Sequence, residues 1–223
     1  MANVLIQLLP YAIGSMMMPT WILLVLSLLR SEQGQKGAAA FAGGVTAVRL
    51  VQGIVFGALI SVADVSHRPG EVEIIVSLLK LVAGILMWAA ALQQIVTRGD
   101  PDEPDGLITK WITLISALTP IRAFGLGALL VTTSARAWLF TLTALGVIRQ
   151  AETAVVGSVV AYALYVLAAE ALLLTPILVN RWAPERFDVL SGWIKVRGRF
   201  ITIAVSLLVG GFLIWNGASG LLD

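Results

Sequence analysis

Long apolar stretches separated by short polar segments dominate the hydrophobic pattern of this chain. A helix needs about 20 mainly apolar residues to cross the hydrocarbon core of a bilayer. Six stretches reach that length, approximately over residues 4–29, 38–62, 73–97, 124–148, 153–180 and 200–222. The pattern therefore predicts an all-α integral membrane protein with six transmembrane helices.

A polar connector at residues 98–106, rich in Pro, Gly and Asp, divides the six stretches into two groups of three. We predict repeat one at residues 1–97 and repeat two at residues 107–223. Because each repeat has an odd number of helices, the second enters the membrane upside down relative to the first, as in the inverted repeats of many transporters. Residues 18–23 and 135–139 also resemble each other, and each leads into a helix rich in small residues. The alternative is a chance likeness between two apolar helices.

Two shorter segments, one before the fourth stretch and one before the sixth, are amphipathic. Their apolar residues recur at helical spacing: Ile108, Trp111, Ile115 and Leu118 in the first, and Phe187, Leu190 and Ile194 in the second. This pattern is typical of short helices that lie in the membrane interface. Tryptophan favours headgroup depth, so we expect Trp111, Trp182 and Trp193 there.

Composition supports a membrane protein. The chain has 223 residues, of which 58% are hydrophobic and 13% charged, and its mean hydropathy is +0.92. Soluble domains average about 45–50% apolar and about 25% charged residues. A soluble fold of this length has too little interior for so much apolar surface, so we expect lipid to solvate part of it. We predict a single membrane domain over residues 1–223, without a separate soluble catalytic domain.

Lysine and arginine are distributed unevenly between the two sides of the predicted topology. One set of connectors carries Arg30, Lys36, Arg98, Lys110, Arg122, Arg181, Arg186, Lys195, Arg197 and Arg199. The opposite set carries only Arg68 and Arg149. Cytoplasmic loops are enriched in these residues, which places the first set in the cytoplasm and both termini outside.

Four ionisable residues fall inside the predicted spans: Arg49, Lys80, Arg136 and Glu170. Charges at that depth are costly unless they are paired or hydrated, so they should face the bundle interior or a water-filled cavity. One interpretation is a buried network in which Glu170 neutralises one cation. The other is that the excess positive charge binds an anionic substrate, chiefly through Arg49 and Arg136, while Lys80 either joins the site or extends toward the outer face.

Polar and helix-weakening residues lie around these charges. We include Pro19, Ser15, Thr132, Thr133, Ser134 and Gln52 among the candidate substrate-binding residues. Interrupted helices at corresponding places in two repeats are typical of a substrate site between the repeats. The alternative is that the hydroxyls bond to their own helix backbone and that Pro19 only kinks its helix.

Small residues and absent residue types complete the picture. Gly43, Gly44, Gly53 and Gly57 would let helices approach closely and would permit a homo-oligomer. The chain has no Cys and one His, His67 in a polar loop, so we expect no metal site and no cofactor. Without a Ser/His/Asp set, a carboxylate pair or a phosphate-binding loop, we predict that the chain is not an enzyme. A net charge of +2 gives no reason to expect nucleic acid as a partner.

The sequence resembles the lysine-exporter (LysE-type) superfamily of bacterial transporters, and within it the peptidoglycolipid addressing protein (GAP) family. The likeness rests on the Pro19 segment and on residues 41–44, 79–86, 119–127 and 209–217. Such proteins often carry an Asn-Pro-Lys-like motif in the fourth span, where this chain has Ser134-Ala135-Arg136 and retains only the positive charge. The resemblance implies export across the bacterial cytoplasmic membrane, with lipid-linked or glycolipid cargo.

The leading functional hypothesis is a transporter that moves an anionic or amphipathic substrate through a cationic central cavity, with membrane lipids as its surroundings. Glu170 would be a counter-charge or a proton-coupling group, because burial favours a neutral acid while a nearby arginine favours a charged one. The alternatives are a membrane assembly factor for a glycolipid pathway that transports nothing itself, and an anion channel. Metal export is disfavoured because the spans lack the Asp/Glu and His clusters that metal ions need.

Overall fold

The computed structural model describes residues 2–16, 18–62, 69–96, 118–151 and 154–222. Eight helices account for nearly all of them: α1 Ala2–Met16, α2 Pro19–Leu29, α3 Gly34–Val62, α4 Pro69–Val96, α5 Pro120–Thr133, α6 Ala135–Gln150, α7 Val155–Trp182 and α8 Pro184–Leu222. The described part of the chain contains no β-strand, and its helices are apolar enough for a multi-pass membrane protein. This confirms the predicted all-α membrane class.

Each of two predicted spans is divided into a pair of helices with a sharp bend between them. The α1 and α2 axes differ by 64° and the α5 and α6 axes by 71°, so each pair is either one broken span or a re-entrant loop. Pro19 opens α2, where its missing N–H is not needed. Ser134 has an extended backbone and caps α6, and its Oγ accepts a hydrogen bond from the Ala137 N–H at 3.2 Å. Four other helices are long enough to cross alone, which gives four spans, or six if each bent pair crosses once.

The predicted interfacial helix before the sixth span is not a separate element. Residues 184–195 form the first turns of α8, a single helix of 39 residues. No proline follows Pro184, so nothing breaks the backbone between the amphipathic segment and the apolar span from Val196 to Leu221. Arg30, in the turn after α2, fixes this segment by bonding Asp188 Oδ1 at 3.3 Å and Ser191 Oγ at 2.9 Å.

Some of the sequence predictions fall outside the described residues. They concern the connector 98–106, His67, Arg68, and the amphipathic segment before the fourth span apart from its last residue, Leu118, which is not helical. Trp111 also lies outside the described residues. Trp182, the last residue of the α7 span, and Trp193, which precedes the α8 span, are both exposed.

Glycines set the closest helix crossings. A Cβ atom at Gly84 on α4 would collide with the Gly210 carbonyl oxygen on α8, and a Cβ at Gly210 would approach the Gly84 carbonyl oxygen. A Cβ at Gly44 on α3 would collide with backbone atoms of α5, and one at Gly127 on α5 with backbone atoms of α3. In both crossings the helix backbones are in contact, as small residues allow in membranes.

The interior divides into two apolar clusters. One is built mainly from α2, α3, α5 and the C-terminal half of α7, and the other from α1, α4, α6 and the N-terminal half of α7. Many large apolar side chains face outward, including Ile54 and Val156 at 72% and 75% exposure. An apolar exterior suits a lipid solvent, and the helix α7 that joins the two clusters carries the site described next.

Candidate functional site: a buried ion pair beside a helix break

A small cavity lies where α1 breaks before α2, against the middle of α3 and α7. Its wall includes Ser15, Met18, Trp21, Arg49 and Glu170. The space between atoms here is about 250 Å³, part of it open to the surroundings, but only about 10 Å³ can hold the centre of a water molecule. That is room for roughly one ordered water, so the described conformation is too narrow for a larger ligand.

Arg49 and Glu170 form an ion pair inside this cavity. Arg49 on α3 is 1% exposed and Glu170 on α7 is 2% exposed, and Arg49 Nε lies 3.5 Å from Glu170 Oε1. The pair is far from ordinary surface salt bridges, because both groups have lost nearly all of their water. Each charge therefore depends on the other for compensation. The pairing that the sequence offered as one interpretation, with Glu170 neutralising one cation, is present here.

Hydroxyl groups hold both partners in place. Thr46 Oγ1, one turn before Arg49, lies 2.5 Å from Glu170 Oε2 and 2.9 Å from the carbonyl oxygen of Ala42. Tyr162 donates its hydroxyl hydrogen to the Arg49 carbonyl oxygen at 2.6 Å. Thr46, Arg49 and Gln52 recur every three residues and so lie on one side of α3.

Several buried polar atoms near this level have no hydrogen-bond partner. They are Ser15 Oγ, Arg49 Nε and Nη1, Gln52 Nε2 and Oε1, Thr141 Oγ1, Tyr165 OH and Glu170 Oε1. The Tyr165 hydroxyl lies beside the side chains of Ser15, Thr141 and Arg49 without bonding to any of them. Buried polar groups in native proteins are nearly always paired, so this concentration indicates a place that receives water or a ligand.

Arg136 has different surroundings. It is not part of the cavity wall, and its Nη2 donates a hydrogen bond to the Gly14 carbonyl oxygen at 3.1 Å. Its guanidinium carbon also lies 5.7 Å from the centre of the Phe140 ring. Gly14 is in the last turn of α1, whose carbonyl groups lack intrahelical partners and carry partial negative charge. In the described conformation Arg136 therefore caps α1.

The other candidate residues predicted from the sequence differ in whether they line the cavity. Ser15 lines the cavity, and Gln52 is buried one turn from Arg49 but does not line it. Thr132 and Thr133 are exposed, and their hydroxyls donate to the carbonyl oxygens of Ala128 and Leu129. Ser134, which caps α6, and Lys80, which is half-buried on α4, do not line the cavity either, and Pro19 opens α2.

Sequence reasoning missed the hydroxyl-bearing residues Thr46, Thr141, Tyr162 and Tyr165. The spacing contained a signal for three of them. Thr46 is one turn from Arg49, while Tyr162 and Tyr165 fall on the same buried stripe of α7 as Glu170. Within the residues that the structure covers, no group of three or more His, Cys, Asp or Glu side chains is placed to hold a metal ion.

Fold and site together define a multi-pass helical membrane protein with an ion pair buried beside a broken helix. The family model of Sap, the sulfolipid-1-addressing protein, matches residues 8–219, and the chain belongs to this family. The match includes every residue of the cavity wall and confirms the expected likeness to a GAP-like, lipid-addressing family. No curated protein and no solved structure is significantly similar to the chain.

Proposed function

We propose that this protein moves an anionic amphipathic lipid across the bacterial cytoplasmic membrane and that Arg49 binds the acidic headgroup. The observation that carries the proposal is the Arg49 guanidinium, which is 1% exposed and has Nη1 and Nε without hydrogen-bond partners. A guanidinium at mid-depth in a membrane bundle is costly to maintain, which favours a functional role. The proposed activity is transport, with no catalytic step.

The chemistry of the site suits a sulfated headgroup. The family is named for a sulfolipid, and a sulfate ester carries one negative charge at every physiological pH. Arginine presents several N–H donors in a planar fork that matches tetrahedral oxyanions. The apolar wall residues Met18, Trp21 and Leu173 would face the lipid body next to the charged group.

A glycolipid does not fit a cavity with room for about one water molecule. Substrate entry therefore requires the site to open, and the break between α1 and α2 interrupts the helical part of its wall. Residue 18 lies between the two helices and outside both, and it lines the cavity together with Ser15 and Trp21 on either side. Movement of α1 relative to α2 would widen the cavity without unfolding a helix.

Helix packing supports the inverted repeat and, with it, alternating access of the LysE type. Exchanging α1–α4 for α5–α8 converts the α3–α5 contact into the α7–α1 contact, and the α2–α3 contact into the α6–α7 contact. The same exchange leaves the α4–α8 and α3–α7 contacts unchanged, and all of these contacts are present, whereas the α1–α6, α1–α8 and α7–α8 contacts have no counterpart of similar extent among the described residues. Each half also begins with a broken helix pair. These regularities are those expected of two related halves around a central site.

The test is lipid movement in proteoliposomes that contain only this chain. Fluorescent sulfatide, a sulfated glycolipid, is compared with fluorescent galactosylceramide, which lacks the sulfate. Transbilayer movement is followed by quenching the outer leaflet. We expect wild-type protein to move sulfatide at least tenfold faster than galactosylceramide. Arg49→Gln should abolish that preference, and Arg149→Gln, at an exposed arginine in the last turn of α6, should retain it.

The outcomes separate the functional alternatives. If wild-type protein moves neither lipid, the transport proposal is overturned in favour of an assembly factor that needs other components. Sulfate-dependent ion currents without lipid movement would instead identify an anion channel. Unchanged sulfatide movement in Arg49→Gln would leave transport standing and overturn the site. Equal elution volumes of the variants in size-exclusion chromatography would show that all of them are folded.

A further inference from the structure

The Arg49–Glu170 pair has no net charge when Glu170 is ionised. Both side chains are at least 97% buried, in a cavity with room for about one water. An uncompensated charge in such a place is strongly unfavourable. The site as described is therefore stable as a cation and an anion together. Neither alone would be tolerated.

A bound anionic headgroup changes that balance. Once it contacts Arg49, the cavity contains one cation and two anions, and Glu170 and the headgroup compete for the same guanidinium. Protonation of Glu170 restores neutrality and leaves Arg49 for the headgroup. We propose that Glu170 occupies the anion site at rest and takes up one proton for each anionic headgroup that binds to Arg49. This inference rests on the proposed function, because it concerns the same headgroup at the same site.

Thr46 is placed to serve both states of Glu170. Its hydroxyl has a single hydrogen but lies within hydrogen-bond distance of two oxygens, Glu170 Oε2 at 2.5 Å and the Ala42 carbonyl at 2.9 Å. When Glu170 is ionised, the hydroxyl donates to the carboxylate. When Glu170 is protonated, the acid donates to Thr46 Oγ1, and the hydroxyl hydrogen turns to the Ala42 carbonyl. The hydrogen bond between the two side chains survives in either state.

Other ionisable side chains on the packed helices do not replace Glu170 in this role. From α3 the facing charge is Arg49, and α7 itself contributes Tyr162 and Tyr165. Tyr11 is buried on α1, and Arg136 on α6 bonds to a backbone carbonyl. Among the described residues, α2 and α8 contribute no ionisable side chain to the cavity wall. Buried phenols stay neutral and arginines stay charged at physiological pH. That leaves Glu170 as the group that changes charge.

Thermodynamic linkage between proton binding and anion binding determines how the anion affinity depends on pH. If the bound state holds one more proton than the empty state, anion affinity falls tenfold for each pH unit above the titration of the empty site. Both the empty and the loaded cavity are electrically neutral under this scheme. One proton and one anionic headgroup would consequently move in the same direction with no net charge crossing the membrane.

The test uses the purified full chain in detergent and n-octyl sulfate below its micellar concentration, with n-octanol as the uncharged control. The sulfate monoester does not titrate between pH 5 and 8, so any proton taken up belongs to the protein. Titration calorimetry in buffers of different ionisation enthalpy measures the number of protons bound per sulfate. We expect that number to approach one for wild-type protein and to be near zero for Glu170→Gln. The same variant should bind octyl sulfate with an affinity independent of pH.

A matched variant controls for charge removal in general. Glu185→Gln, at the exposed start of α8, should behave as wild type. Sulfate-selective, Arg49-dependent binding with no proton uptake in wild-type protein would overturn the inference and leave the proposed function standing. Binding of n-octyl sulfate no tighter than that of n-octanol at every pH would count against the headgroup site itself. The wild-type proton count needs no variant, so it decides the inference even if Glu170→Gln fails to fold.

Discussion

Thr46 places a hydroxyl 2.5 Å from a carboxyl oxygen of the buried Glu170 side chain. Hydrogen bonds to buried charged groups contribute about 1.5–3 kcal/mol to folding. Thr46→Val keeps the shape of the side chain and removes the hydroxyl, so we expect it to lower the free energy of unfolding by about that amount. Thermal unfolding in detergent measures the effect. Thr175→Val is the matched control, because the exposed Thr175 hydroxyl only bonds the Ala171 carbonyl of its own helix. Equal melting temperatures for the two variants would contradict the proposed contact.

Arg49 and Arg136 should fail in different ways when neutralised. Arg49→Gln removes the proposed headgroup ligand and should weaken n-octyl sulfate binding more than tenfold. Arg136→Gln removes the hydrogen bond to Gly14 at the end of α1, which should cost about 1–3 kcal/mol of stability while binding stays within twofold of wild type. Calorimetry and thermal unfolding of both variants give the two readouts. Loss of binding in Arg136→Gln equal to that in Arg49→Gln would return Arg136 to the substrate site that the sequence alone predicts.

Part of the site could be predicted from the depth of charged residues within the predicted spans. A charge inside an apolar stretch is expensive wherever it points, so Arg49 and Glu170 are conspicuous without a structure. A buried threonine or tyrosine carries no comparable cost, and Thr46 and Tyr162 are therefore invisible until α3 and α7 are seen to pack. Arg49 and Arg136 lie at similar depths in their predicted spans, so the sequence favoured both equally as substrate-binding residues. The depth of a residue does not reveal which partner its guanidinium contacts.

Among the elements, glycine spacing predicted helix packing only in part. Gly53 and Gly57 lie one turn apart on α3 and both suggested close packing, but their surroundings differ. A Cβ at Gly53 would collide with the Tyr162 ring, whereas a Cβ at Gly57 would have no described atom within 4 Å. The predicted contact is present at the first position and absent among the described residues at the second. The spacing of the glycines predicts which face of α3 they share, but not how close a neighbouring helix lies to each of them.

Because only Gly53 contacts a neighbouring side chain among the described residues, alanine substitutions at Gly53 and Gly57 form a matched pair of variants. Gly53→Ala should displace Tyr162, weaken its hydrogen bond to the Arg49 carbonyl oxygen, and lower both the melting temperature and the affinity for n-octyl sulfate. Gly57→Ala should leave binding unchanged and stabilise α3 slightly, because alanine in a helix interior is favoured over glycine by about 1 kcal/mol. A loss of binding in Gly57→Ala as large as that in Gly53→Ala would show that the effect comes from the helix backbone and not from Tyr162.

The breaks in the first and fourth predicted stretches show why helix boundaries were harder to predict from the sequence than the presence of helices. Apolar length predicted a span at residues 4–29, and Pro19 marked a weak point, but a proline at the first position of a new helix and one inside a kinked helix look alike in sequence. At Ser134 the helix ends without any proline, and the hydroxyl cap becomes evident only once the Ala137 N–H is seen to point at it. The opposite error occurred within α8, where the predicted boundary between the amphipathic segment and the sixth span is absent.

For the whole molecule, the open question set by the two bends is whether each helix pair crosses the membrane or returns to the side from which it came. The predicted topology, with ten basic residues on one side and two on the other, requires each pair to cross once. Inverted repeats require the same, since a repeat with a re-entrant first pair would contain two spans, and the second repeat would not be inverted. A re-entrant helix pair would therefore contradict both the predicted membrane topology and the proposed inverted repeat.

Labelling of single cysteines tests the crossings directly, because the natural chain has none. Asn3→Cys and Glu32→Cys flank the α1–α2 pair, and Thr119→Cys and Gln150→Cys flank the α5–α6 pair; all four positions are exposed. A maleimide that does not permeate membranes, applied to intact cells, should label Asn3→Cys and Gln150→Cys but reach Glu32→Cys and Thr119→Cys only after lysis. Full labelling of all four in lysed cells is the control for accessibility. If both members of a pair react from the same side, that pair is re-entrant, and the six-span inverted repeat, together with the alternating-access scheme built on it, is wrong.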